Sequence, residues 1–193
     1  TSTSTSTSTS TETNNFEIYI EDTLRTNLLT TYRNEIIPII DNKPITLNLG
    51  LVLKSFHNIN HVDGIITSNI WLIYEWEDKL LSWNTTSYNI SSLSFYTSVD
   101  YENRIWIPDI YLLNSGEKPM SNLDMSRLKV YNNGIIRWIR PGLILSRCKF
   151  DLKYFPYDEQ ICKFEFGSWI YNNQKLNISY SEHAIDLSNY QKS

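Results

Sequence analysis

Cys148 and Cys162 are the only cysteines of the 193-residue chain, and with thirteen residues between them they can close a ring of fifteen. The chain-entropy model values a ring of that size at roughly 3 kcal/mol. Its tip carries Tyr154, Phe155, Pro156 and Tyr157, where a simple staple would be polar. Aromatic groups on an exposed tip usually meet another surface, and an aromatic-Pro bond such as Phe155-Pro156 admits the cis isomer at small cost. Other reactive side chains form no set. His57 and His61 are four apart but flank a strand-to-hairpin passage, and His183 stands near the end of the chain. No GxSxG, HExxH, P-loop or dinucleotide fingerprint occurs, so the expectation is a protein that is not an enzyme and has no metal or cofactor. Two cysteines at loop spacing, without a CxxC pair, fit an oxidised, secreted chain better than a zinc site. Asn84-Thr85-Thr86, Asn89-Ile90-Ser91 and Asn177-Ile178-Ser179 have the acceptor pattern for N-glycosylation and point the same way.

These residues need a scaffold, and the period of the apolar residues says which. Leu24, Leu28 and Tyr32 recur at intervals of four, with Asp22 placed to cap the helix and Pro38 to follow its end. Beyond that the period becomes two. Ile45, Leu47, Leu49, Leu51 and Leu53 alternate with Thr46, Asn48, Gly50 and Lys54, as a half-buried strand does. The Asp63-Gly64 pair predicts a hairpin turn into a second long strand, Ile65 to Trp76. Further strands are expected at Ile90–Val99, Leu128–Tyr131, Gly134–Ile139, Leu143–Phe150, Ile161–Phe166 and Lys175–Tyr180. One leading helix and many short strands predict an all-β sandwich or barrel. Thr1 to Thr11 is Thr/Ser-rich and can bury nothing, so residues 1–15 are expected to form a disordered tail and 16–193 the domain.

Aromatic content is high, with 6 Trp, 13 Tyr and 7 Phe, enough for a core and a binding surface besides. A net charge of -4 without long runs argues against a nucleic-acid partner. No apolar run approaches the length of a membrane helix and no signal peptide is present, so the chain reads as a mature or incomplete extracellular segment.

The ring from Cys148 to Cys162, with Asp151, Phe155-Pro156, Asp158 and Gln160, closely resembles the signature loop of the Cys-loop receptors, the pentameric ligand-gated ion channels. Other landmarks follow in the same order: Asn69-Ile70-Trp71 through Glu75-Trp76 to Trp83-Asn84, then Trp106-Ile107-Pro108-Asp109, then Gly167-Ser168-Trp169-Ile170-Tyr171. The Gly-Ser-Trp-x-Tyr wording and Pro141-Gly142 before the ring resemble the nicotinic, cation-selective branch. The resemblance implies a twisted, immunoglobulin-like β-sandwich behind an N-terminal helix, in agreement with the periodicity.

It also implies a site. Ligands of this family are mostly amines, held by aromatic faces, of which Trp is the best. Trp169 and Tyr171 match the principal face of the subunit interface, and Leu113 stands where principal subunits place a tyrosine. Trp76 matches the aromatic of the complementary face, with Lys129, Arg137 and Ile139 on the adjoining strands; Trp71, Trp83 and Trp106 are assigned to packing. A cation such as Arg137 would repel an amine and attract a carboxylate. Tyr154, Phe155, Pro156 and Asp158 match the loop that rests on the transmembrane domain and passes the binding event to the pore. The implied partners are a small-molecule transmitter, four identical or homologous subunits and the protein's own transmembrane domain, at the extracellular side of a cell membrane. The family's domain runs on past the position of Ser193, so a longer chain is expected. The rival readings are a soluble transmitter-binding protein and a non-principal structural subunit, the latter favoured by Leu113.

Overall fold

The alternating leucines of the first strand all face inward: Leu47, Leu49, Leu51 and Leu53 are buried, while Thr46 is exposed. The structure, a computed structural model, describes residues 8–39, 41–97, 104–116, 123–124 and 126–191. Among these, β1 (Ile45–Asn60) pairs antiparallel with β2 (Ile65–Glu77) across the Asp63-Gly64 turn, with Gly64 at φ +66°. Asn60 Oδ1 accepts from the N–H groups of Val62 and Asp63 and so starts that turn. Then follow β3 (Ser92–Tyr96), β4 (Ile110–Leu112), β5 (Arg127–Tyr131), β6 (Ile135–Arg147), β7 (Phe166–Ser168) and β8 (Leu176–Asp186). Six strands form one sheet in the order β3-β5-β6-β2-β1-β8, with β8 parallel to β1, and β4 and β7 form a separate two-stranded ribbon. The result is the expected sandwich-like, mostly β architecture behind one N-terminal helix.

One core, from Leu24 of the helix to Leu176 of β8, joins the layers. It includes Tyr74, Trp76 and Trp138, with the Tyr74 and Trp138 rings 5.1 Å apart. Each fully buried side chain of this kind removes enough apolar surface from water to contribute about 1.5–3 kcal/mol.

Several elements differ from expectation. The helix, α1 (Ser8–Leu29), begins well before Asp22, so residues 8–15 of the expected tail are helical, while residues 1–7 lie outside the described residues. Adding a residue to a nucleated helix is far easier than nucleating one, and docking of Leu24 supplies the nucleus. The helix also stops before Tyr32, which turns back into the domain instead. Gly134–Ile139 and Leu143–Phe150 form a single strand, β6, that runs through Pro141-Gly142. Pro141 is tolerated because its carbonyl points away from β2, accepting from Asp124 N–H at 2.8 Å; its missing N–H lies on that same side and costs no bond to β2. Ile161–Phe166 is mostly irregular. There the Asn114 side chain replaces a strand neighbour, donating to the Lys163 carbonyl at 2.8 Å and accepting from Glu165 N–H at 3.2 Å. The strand expected at Ile90–Val99 is confined to Ser92–Tyr96, with residues 98–103 outside those described.

Candidate functional site

The Cys148–Cys162 disulfide is formed, with the Cα atoms 5.2 Å apart. Gly64 packs against the ring's first cysteine: its carbonyl accepts from Cys148 N–H at 2.8 Å, and a Cβ at Gly64 would lie 3.0 Å from the Cys148 carbonyl oxygen. Within the ring, Gln160 bridges the two arms, donating to the Asp151 carbonyl at 2.8 Å and accepting from Asp151 N–H at 3.0 Å; its amide also donates to Asp158. The tip is open to solvent, with Phe155 74 % and Tyr157 92 % exposed, Tyr154 exposed and Asp158 partly buried. Phe155-Pro156 is a cis peptide.

Trp169 follows β7 and is 81 % exposed. A tryptophan so placed loses orientation unless its backbone is held, and Asp109 holds it. Asp109 Oδ2 accepts from Trp169 N–H at 3.0 Å and from Ile170 N–H at 2.8 Å, while Oδ1 accepts from Ser168 Oγ at 2.7 Å. Ser168 Oγ in turn accepts from Tyr171 N–H at 2.8 Å. Four polar bonds thus fix one turn. Bonds to a carboxylate are among the stronger ones available. In the sequence Asp109 stands out only as the last residue of Trp106-Ile107-Pro108-Asp109, and its acidic side chain directly after Pro108 is the one signal of this role. Tyr171 does not face the surface beside Trp169 but is partly buried, its ring 6.1 Å from Trp106 and its hydroxyl accepting from Trp106 Nε1 at 3.4 Å. Leu113 is exposed, bonded through its N–H to the Glu165 carbonyl at 2.7 Å, and borders Gly167, where an added Cβ would stand 3.0 Å from Leu113 Cδ1.

Trp106 connects this turn to the core. Its ring lies edge-on to Trp76 at 6.2 Å, and its N–H donates to the Tyr32 hydroxyl at 3.2 Å. That hydroxyl donates to Asp78 Oδ2 at 2.6 Å, and Asp78 Oδ1 caps the following turn by accepting from Leu80 N–H. Asp78 is fully buried. Burial raises its pKa above 3.8, partly opposed by the bonds from Tyr32 and Leu80. Burial and the neighbouring Asp78 raise the Tyr32 phenol as well.

The complementary-face residues divide between the two faces of the sheet, which corrects one assignment. Trp76 is 2 % exposed and sits on the inner face opposite Ile136, packed within the core. Trp71 is 40 % exposed and sits on the outer face. The strand period explains the exchange: five positions apart on β2, the two tryptophans must point to opposite faces. Register places Arg137 opposite both Glu75 and Lys129, Ile139 opposite Ile73 and Pro141 opposite Trp71, all on the outer side. Lys129 and Arg137 are exposed and Ile139 partly buried. The packing roles of Trp83 and Trp106 agree with the structure, in which both are partly or wholly buried in the core.

All three sequon asparagines are exposed. Asn84 caps the short helix α2 (Thr85–Tyr88), accepting from Thr86 N–H at 2.9 Å; Asn89 ends it at φ +53°, and Asn177 lies on β8 opposite Thr46.

The sandwich thus holds one exposed tryptophan, Trp169, at its rim and presents a second, Trp71, on its outer sheet face. Comparison gives the family. The neurotransmitter-gated ion-channel ligand binding domain matches residues 21–193, and the chain belongs to that family, as a Cys-loop receptor ligand-binding domain of nicotinic type. Similar proteins include the neuronal acetylcholine receptor subunit alpha-2 of Gallus gallus, 32% identical over 177 residues that cover 91% of this chain and 33% of the relative. The acetylcholine receptor subunit alpha-type acr-16 of Caenorhabditis briggsae is 32% identical over 172 residues, 88% of this chain and 34% of the relative. The acetylcholine receptor subunit beta-type acr-2 of Caenorhabditis elegans is 31% identical over 175 residues, 88% and 30% respectively. The chain spans about a third of the length of the curated relatives it matches. The family is one of receptors, not of enzymes. Among the described residues no helix is long and apolar enough to cross a membrane.

Proposed function

We propose that this chain is the extracellular ligand-binding domain of a nicotinic-like channel subunit, which binds a small amine transmitter between subunits of a pentamer and couples it to pore opening. The observation that carries this reading is Trp169, exposed on a turn that Asp109 fixes from below. A preorganised aromatic face binds a cation without burying a counter-charge. Trp169 and Leu113 belong to the principal half; Trp71 replaces Trp76 in the complementary half, beside Lys129, Arg137 and Ile139. Agonist moves the gating equilibrium only through differential affinity for the closed and open quaternary states, and an interface that tightens around it supplies that difference.

Tyr154, Phe155, Pro156 and Asp158 would rest on the protein's own membrane domain. Their exposure supports a membrane partner over a soluble transmitter-binding protein, for which a hydrophilic tip would serve. Leu113, in the place of a tyrosine, leaves the principal half with one aromatic face fewer beside Trp169. The glycans at Asn84, Asn89 and Asn177 and the extracellular location belong to the same reading. Expression of the full-length subunit, alone and with nicotinic partner subunits, tests it by recording currents evoked by acetylcholine. Agonist-evoked current that depends on this subunit is expected; surface-expressed subunit that neither carries nor alters such current would overturn the reading.

A further inference from the structure

Lys54 lies where β1 breaks its regular pairing with β2. Leu53 is opposite Ile70 and Ser55 opposite Asn69, so Lys54 is the extra residue of a bulge. Bulges re-aim the side chain they insert. Here the lysine turns over the outer face and sets its Nζ 4.0 Å from the centroid of the Trp71 ring. The bulge is pinned from the other side, because Gln191 N–H donates to the Lys54 carbonyl at 2.7 Å. On the same sheet Arg127 stands equally close, 4.0 Å over the Tyr96 ring, and Lys129 5.2 Å over Tyr131; of these three rings only that of Trp71 is an indole, the strongest cation–π acceptor.

The aromatic face that would hold an amine is therefore already in contact with one. A ring face of this kind accommodates a single cation at contact distance, since a second would bring two like charges within a few ångströms. We infer that Lys54 is a built-in competitor for the complementary aromatic: its ammonium occupies the cation position over one face of Trp71, and an amine ligand must displace it to use that face. The inference rests on the reading of Trp71 as the complementary aromatic given above. Lys54 then acts as a specificity-determining residue. It discounts the contribution of Trp71 to simple amines, and it offers a ligand that also carries a carboxylate a charge partner that choline-like cations cannot use.

The probe is tetramethylammonium, a cation with no other recognisable group, and the protein is the full-length subunit assembled with its partners. Lys54→Met should tighten tetramethylammonium binding about two- to fivefold, the size of one exposed cation–π contact, while Lys54→Arg should leave it near the wild-type value. In a Trp71→Leu background the same Lys54→Met change should have no effect. Tightening that persists without Trp71 would mean that lysine acts only through its bulk charge, and no tightening at all would mean that it does not compete; either result overturns the inference. Trp71→Leu alone separates the two layers, because unchanged affinity there removes Trp71 from the site itself. An independent readout is the Lys54 ε-methylene proton resonance, which the indole ring should shift upfield and tetramethylammonium should return toward the free-lysine position. A resonance unshifted in the wild-type protein contradicts the contact whatever the binding data give.

Discussion

Asp109 and Trp169 are joined through the backbone rather than the ring: Oδ2 of the carboxylate accepts from the N–H of Trp169 at 3.0 Å and from that of Ile170 at 2.8 Å. The indole is left free for a ligand while its attachment is fixed by a residue sixty positions earlier in the chain.

Substitution of Asp109 should therefore act on Trp169 without touching the ligand. Asp109→Ala leaves two backbone N–H groups and the Ser168 hydroxyl without their acceptor, a loss of about 1–3 kcal/mol that divides between domain stability and ligand affinity. Asp109→Asn keeps one acceptor oxygen and should recover part of both. Thermal melts and ligand titrations on the two variants check the order; equal affinity in all three proteins would show that the turn holds itself.

The two tryptophans of β2 should separate cleanly. Trp76 is packed against Trp106, and its indole Nε1 has no hydrogen-bond partner among the described residues. Trp76→Leu should cost about 2–4 kcal/mol of stability through the cavity it leaves, with ligand affinity preserved in the folded fraction. Trp71→Leu should leave stability within about 1 kcal/mol, since its ring is half in solvent, and should weaken binding. Denaturant melts alongside binding isotherms distinguish the pair.

Asp78 makes stability depend on pH in an uncommon direction for a carboxylate. Its folded pKa lies above the ordinary 3.8 because of burial, so the native state holds the proton more tightly than the unfolded chain. This contribution is fully present below pH 3.8 and is lost as pH rises through the folded pKa. Asp78→Asn should remove that slope, so that the difference in melting temperature between variant and parent moves in favour of the variant as pH rises from about 4 towards neutrality. A difference independent of pH would mean that Asp78 does not titrate in this window.

Gly134 tests the turn beneath the same carboxylate. At φ +85° it stands so close to Asp78 that an added Cβ would lie 2.6 Å from the Asp78 carbonyl oxygen, and its own carbonyl accepts from Asp78 N–H at 2.8 Å. Gly134→Ala should destabilise by about 1–3 kcal/mol, more than Asn133→Ala beside it, as measured by denaturant unfolding.

The legible part of this chain was what repeats or what is written in short words. Period-two leucines in β1, the Asp63-Gly64 turn and the two cysteines each follow from local chemistry, and the structure has them where they were expected. The continuity of β6 through Pro141 was not legible, because it depends on which edge of the strand Pro141 turns outward, a fact of register. Trp71 and Trp76 were exchanged for a related reason. Alternation says that they face opposite sides, but only the packing of Trp106 against Trp76 says which side is inside. The reach of Asp109 to Trp169 and the placement of Lys54 over Trp71 are contacts between distant segments, and no local pattern announces them.

The most direct measurement is equilibrium binding of acetylcholine to the assembled full-length receptor with and without Trp169→Ala. Loss of the cation–π face should weaken binding by at least about 1 kcal/mol, near fivefold, measured per assembled receptor because Trp169 is placed at the subunit interface. Unchanged affinity in correctly assembled receptors would contradict the account and move the ligand to another surface of the domain.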